Sequence, residues 1–193
     1  MTERVPVFVC GDPTRGDDGA ALAAVELLGP EIRGRIDLVP VGQLDVVALL
    51  DLPAGRACVV VDAVAGIEPG QVWVQSLAAL VGRARRLRSA GLAVEPRSSH
   101  ELPLEQALAL ATALRDRPPA GVFVGIGGAR WEAGAPLSDA VAAGLPAFAA
   151  AIEAAIGEAA GASQAAGASG AARQGLGGSR ARAGLARRTT PSA

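Results

Sequence analysis

The sequence predicts an α/β three-layer sandwich: a twisted, mostly parallel five-stranded sheet with helices on both faces and one antiparallel edge strand. Three observations predict it. Short β-branched runs alternate along the chain with Ala/Leu-rich stretches, the order that a parallel sheet with crossover helices requires. Half of the 193 residues are hydrophobic, enough for one full core, and only 3% are aromatic, so aliphatic side chains must fill it. Finally, the runs at residues 5–10 (VPVFVC), 57–61 (ACVVV) and 121–126 (GVFVGI) are apolar throughout, as strands covered on both faces are.

Each element has its own signal. Residues 5–10 form a strand stopped by Gly11-Asp12-Pro13. Residues 18–28 form a helix with Leu22, Val25 and Leu28 at helical spacing, capped by Asp17 or Asp18. A second strand spans 36–41. A short helix spans 44–50, with Leu44, Val47 and Leu50 on one side. The central strand is 57–61. After a Gly66 to Gly70 turn, residues 71–75 (QVWVQ) alternate as an edge strand does. Residues 76–91 are rich in Ala, Leu and Arg, with Arg83, Arg85, Arg86 and Arg88 set to face water or a partner. Residues 96–100 are a polar loop. Residues 103–114 form a helix with Pro103 in its first turn. The strand 121–126 follows, then an Ala-rich helix over 137–158 opened by Ser138-Asp139. Residues 1–160 therefore make one α/β domain. Residues 161–193 keep no periodic apolar face and are expected to be a disordered Ala/Gly/Ser/Arg-rich tail.

Composition excludes several functions. All 18 basic residues are Arg, so Walker A loops and Schiff-base lysines are absent. The single His excludes sites with two His ligands in one chain. Net charge is −1, but five Arg lie in the tail; residues 1–160 hold 13 Arg against 19 acidic residues, a net −6. Such a body disfavours nucleic acid. Cys10 and Cys58 sit in apolar runs and read as small buried hydrophobes. No leader pattern precedes the first strand, and the longest uncharged apolar stretch, 140–152, is shorter than the roughly 18 residues of a membrane span. A cytoplasmic protein with no membrane partner is expected.

In an open parallel sheet, ligands bind beyond the carboxyl ends of the strands. Gly125-Ile126-Gly127-Gly128 only begins like a dinucleotide fingerprint, and neither H-E-x-x-H nor G-x-S-x-G occurs. Polar chemistry collects instead in three places at that rim: residues 11–19 (GDPTRGDDG), Asp62 after the central strand, and Ser98-Ser99-His100. Taken singly, Asp17-Asp18 reads as a helix cap and His100 as a surface residue, while Asp62 at a buried strand end must be solvated, paired or liganded. Taken together, Asp18, Asp62 and His100 offer two carboxylates and an imidazole to a divalent metal with open positions. Asp17 or Asp62 then has an oxygen to spare for a proton.

These motifs resemble the hydrogenase maturation endopeptidases, which finish the large subunit of nickel–iron hydrogenases. The family pattern G-N-x-x-x-G-D-[DE]-G corresponds to Gly11-Asp12-Pro13-Thr14-Arg15-Gly16-Asp17-Asp18-Gly19. The D-A after a strand is Asp62-Ala63, the Ser/Thr-rich loop with a His is Ser98-Ser99-His100, and the final G-I strand and L-S-x-x-V helix are Gly125-Ile126 and Leu137 to Val141. The resemblance covers about residues 5–156. It implies an aspartate-dependent endopeptidase that removes the C-terminal extension of the large-subunit precursor after nickel insertion. Asp18, Asp62 and His100 would be both metal-contacting and catalytic. Nickel would arrive with the precursor, with no tightly bound metal of the enzyme's own; the precursor is the partner, and the enzyme is expected to be a monomer. One position departs: the family Asn is Asp12, which accepts hydrogen bonds but cannot donate them and adds negative charge near Asp18 and Asp62. Arg97 is a candidate to hold a substrate carboxylate. The alternatives are a nickel-dependent docking or chaperone module that never cuts, and a peptidyl-tRNA hydrolase-like enzyme with one essential His.

Overall fold

The computed structural model describes residues 4–91 and 104–178. The strands are β1 (Val5–Val9), β2 (Ile36–Pro40), β3 (Cys58–Val64), β4 (Val72–Ser76) and β5 (Gly121–Gly127). They form one sheet in the order β2-β1-β3-β5-β4. All neighbours run parallel except β4, which pairs antiparallel with β5 at the edge. The helices are α1 (Ala20–Glu26), α2 (Pro30–Arg33), α3 (Val46–Leu50), α4 (Leu77–Ser89), α5 (Leu104–Arg115) and α6 (Asp139–Gly178). The predicted α/β sandwich with a mostly parallel sheet is the architecture observed.

The uninterrupted apolar strands feed two cores, because successive strand residues point to opposite faces. Val7, Val9, Val59, Val61, Val124 and Ile126 pack under α1 and α6. Phe8, Cys10, Cys58, Val60 and Phe123 pack under α3, α4 and α5 with Leu49, Leu77, Leu80 and Leu108. Cys10 and Cys58 are buried free thiols.

Several details differ from the expectation. α1 begins at Ala20, after a 3-10 turn over Gly16–Gly19, and neither Asp17 nor Asp18 caps it. Its buried face is mostly alanine (Ala20, Ala21, Ala24), which lets the helix lie close to the sheet. In α3 the cap is Asp45, whose side chain accepts from the Ala48 N–H at 2.8 Å. This start rotates the helix so that Leu49 is buried and Val47 is exposed; Leu44, also buried, precedes the helix and does not share its phase. β3 runs on past Val61 to Val64, which puts Asp62 inside the strand.

The largest difference is α6. It does not stop near residue 158 but continues through Gly178, so the boundary drawn at residue 160 falls within a helix; residues 179–193 lie outside the described part. Alanine has the highest intrinsic helix propensity, so loss of an apolar face does not by itself end a helix. Val141, Phe148, Ile152, Ile156 and Ala159 pack on the sheet, and Ser163 Oγ accepts from the buried Ala57 N–H at 3.0 Å just before β3. Over 139–166, α6 is long and apolar enough to cross a membrane by length and composition. That exceeds the uncharged run read from the sequence, since Glu153 and Glu158 do not prevent it. Its buried stripe nevertheless serves as core. Ser163→Ala leaves a buried N–H unpaired and should lower stability by about 1 kcal/mol, read as a reduced urea midpoint at unchanged m-value.

Candidate active site

The site is assembled where β1 and β3 end side by side. The Cys10 N–H donates to the Val61 carbonyl at 2.9 Å, extending the β1–β3 pairing by one residue. The chain then turns at Gly11, whose φ of +103° and close approach both require glycine: a Cβ there would lie 2.0 Å from the Asp18 carbonyl oxygen. That contact folds the loop back over the strand end. The Asp12 N–H donates to Asp18 Oδ2 at 2.9 Å and holds the Asp18 carboxylate in place.

Asp62 points to the same face as Val60 and Cys10, two residues before Val64. It is half-buried, and its Oδ1 accepts from the Ala63 N–H at 2.8 Å. Burial pushes its carboxyl up to about pKa 7; the Ala63 hydrogen bond opposes this, and the negative charge of Asp18 adds to it. The Cys10 thiol is driven well above its ordinary value, first by burial, then by Asp62, with a smaller push from Asp18 and an opposing Leu44 backbone bond. Asp18 and Asp62 thus stand within each other's field at one rim. His100 lies outside the described residues, as do Arg97, Ser98 and Ser99. The chain re-enters the described structure beside this rim, where Glu105 of α5 faces Val64, Ala65 and Gly66. Among the described residues, no group of three or more His, Cys, Asp or Glu is arranged to hold a metal ion. Asp18 and Asp62 are thus two carboxylates at one rim, the charge of Asp18 acting on Asp62.

Asp17 is not a spare base. It is fully buried, and both oxygens are occupied. Oδ1 accepts from the Ser138 N–H at 2.6 Å; Oδ2 accepts from the Ser138 hydroxyl at 2.8 Å and from the Ala129 and Arg130 N–H groups at 2.8 and 2.9 Å. Burial raises its pKa, but the hydrogen bonds outweigh it and leave the carboxyl below its ordinary value. Ser138 in turn caps α6, accepting from Val141. Asp17 therefore ties the loop after β1 to the loop after β5 and to the start of α6. Adjacent acids in a 3-10 turn point about 120° apart, so one of the pair had to face inward; the sequence does not say which.

Asp12 also has a local task. Its Oδ1 accepts from the Thr14 N–H at 2.8 Å and the Thr14 hydroxyl at 2.7 Å, which closes an Asx turn. The Thr14 hydroxyl and then its N–H pull the Asp12 pKa down. These bonds ask only for an acceptor, so the loop needs no donor from this side chain. Asp12→Asn should leave the thermal midpoint unmoved, its amide oxygen replacing the carboxylate.

No protein-family model matches the sequence, and no curated protein matches it. Solved structures do. The [NiFe] hydrogenase maturation protease HybD from Thermococcus kodakarensis is 26% identical over 78% of this chain and 97% of that one, with a TM-score of 0.55. The hydrogenase maturating endopeptidase HybD from E. coli is 18% identical, over 80% and 93% of the two chains, with a TM-score of 0.59. The hydrogenase 2 maturation peptidase of a Thaumarchaeota archaeon is 22% identical, over 80% and 99%, with a TM-score of 0.51. The last two likenesses carry the fold; the first adds sequence to it. Motif order and this shared architecture together make the chain similar to the hydrogenase maturation proteases.

Proposed function

We propose that this protein is an endopeptidase that removes the C-terminal extension of a nickel–iron hydrogenase large-subunit precursor after nickel insertion. The observation that carries the reading is the pairing of Asp18 with Asp62 at the sheet rim of a maturation-protease fold. The nickel belongs to the precursor and is part of the substrate. Two carboxylates in one another's field, one of them desolvated, gain from a cation that neutralises both. The precursor's nickel meets that need, so the site distinguishes loaded from empty substrate electrostatically. His100 is the third contact in this proposal.

Asp62 also suits proton transfer. Its pKa of about 7 lies near neutral operating pH, where a general base combines availability with driving force. Oδ1 is engaged by Ala63, which leaves Oδ2 to face substrate and water. Asp17, depressed in pKa and fully hydrogen-bonded, takes no part in the chemistry.

Incubating the protein with nickel-loaded and nickel-free precursor, followed by intact mass measurement, tests the reading. A shortened C-terminus only in the loaded sample is expected. An intact terminus in a tight nickel-dependent complex would instead identify a docking module. Salt-dependent binding of tRNA would revive the hydrolase alternative, which the acidic body and the family both disfavour.

A further inference from the structure

A groove lies on the same face of the sheet as Asp62. The register places Asp62 opposite Gly125 of β5, and Gly125 opposite Trp73 of β4. Directly paired residues share a face, so Asp62 and Trp73 project to one side with a glycine between them. A Cβ at Gly125 would fall 2.8 Å from both Phe123 and Val64 side-chain atoms. Those two side chains close over the gap and make the floor continuous. Trp73 stands edge-on to Phe123, with centroids 5.5 Å apart and planes at 65°, which braces the indole. Val64, Ala65, Ile67 and Trp73 line a space of about 280 Å³, with Arg83 of α4 and Glu105 of α5 at its margin.

The groove is at the small end of the range for ligand pockets, suited to one or two side chains rather than a cofactor. Its margin carries one positive and one negative group, so no net charge calls for a charged occupant. Two strand spacings of about 4.8 Å separate Trp73 from Asp62, roughly 10 Å, which an extended peptide covers in about three residues. We infer that this groove is a specificity subsite that takes an apolar side chain of the precursor about three residues from the bond cut at Asp62, with Trp73 as its wall. The inference rests on the endopeptidase reading above and names what that enzyme selects besides nickel. Trp73 acts here as a specificity-determining residue.

The test uses full-length enzyme and nickel-loaded precursor. Ala65 is exposed at the groove, so Ala65→Trp fills the space without entering either core. It should raise KM about 10-fold with kcat within about twofold. Changing the third precursor residue before or after the cut to Asp should lower kcat/KM of the wild-type enzyme by a similar factor on one of the two sides. Combined with Ala65→Trp, that precursor change should cost little more, because the same contact is lost twice. Should Ala65→Trp fail to fold, Trp73→Leu replaces it and should shift preference about fivefold toward a bulkier third residue. An unchanged KM in folded Ala65→Trp overturns the subsite while leaving the peptidase standing. Indifference of the wild-type enzyme to both third residues does the same. A raised melting point of Ala65→Trp with unchanged KM shows the groove serving this chain's own packing and also overturns it. A wild-type enzyme that cuts no loaded precursor overturns both readings.

Discussion

Asp62→Asn abolishes cleavage of the nickel-loaded precursor, with kcat/KM falling about 10²–10⁴-fold, and it stabilises the fold at pH 8. The two effects share one cause. A half-buried carboxyl with a pKa of about 7, against an ordinary 3.8, holds its proton more tightly folded than unfolded. The wild-type protein therefore loses stability as pH climbs from about 4 to about 7, and the full penalty persists above that. The whole shift corresponds to about 4 kcal/mol; residual solvent contact reduces the expected gain in the variant to about 2 kcal/mol at pH 8. At pH 4 the folded carboxyl is protonated and the unfolded one is only beginning to ionise, so the gain nearly vanishes. Urea titrations at pH 4, 6 and 8 check this, together with precursor cleavage at pH 7. A stability difference independent of pH would show that the Asp62 carboxyl titrates as it does in the unfolded chain. Undiminished cleavage would remove it from the mechanism.

The second large effect is structural. Asp17→Ala leaves the Ala129, Arg130 and Ser138 N–H groups and the Ser138 hydroxyl without their acceptor. Removing the acceptor from several buried donors costs about 4 kcal/mol, a fall of roughly 10–15 °C in Tm for a domain of this size. The pH dependence runs opposite to that of Asp62. The Asp17 carboxyl is depressed below 3.8, so the contribution of its charge is fully present above about pH 4 and disappears as pH falls through the folded value. In strong acid the gap between variant and wild type should narrow, while the hydrogen bonds that a protonated carboxyl still accepts keep it from closing. Calorimetry at pH 7 and pH 2–3 reads both. Since Asp17 holds the loops rather than the substrate, cleavage by the variant should track its folded fraction. A stable Asp17→Ala protein with no activity would place Asp17 in the chemistry after all.

The two adjacent aspartates show where reading residues in order stops. Gly16-Asp17-Asp18-Gly19 announces a tight, acidic loop after a strand, and the motif order identifies the rim on which it sits. Which carboxylate faces the site depends on the loop after β5, more than 100 residues away, whose N–H groups capture Asp17. Helix starts divided in the same way. Ser138 opens α6 as the sequence indicates, but neither Asp17 nor Asp18 caps α1, and Asp45 sets a phase for α3 that leaves Leu44 outside the helix. In α6 the loss of a periodic apolar face after residue 160 suggests a disordered tail, yet the helix runs on to Gly178. A helix needs no apolar face to persist when its propensity is high, and the Ser163 to Ala57 bond ties it to the sheet beyond residue 160.

What the chain order determined unaided was the architecture: fully apolar runs can survive only as strands covered on both faces, and their alternation with helices makes most of the sheet parallel. It also determined the rim, since loops rich in Gly and Asp after such strands have nowhere else to lie. Only the tertiary structure decided the electrostatics there. Burial and the Asp18 charge raise Asp62, converging N–H groups lower Asp17, and a single glycine, Gly125, separates Asp62 from Trp73. A carboxylate's pKa and partners are set by what surrounds it in space, and those neighbours come from strands and loops far apart in the chain.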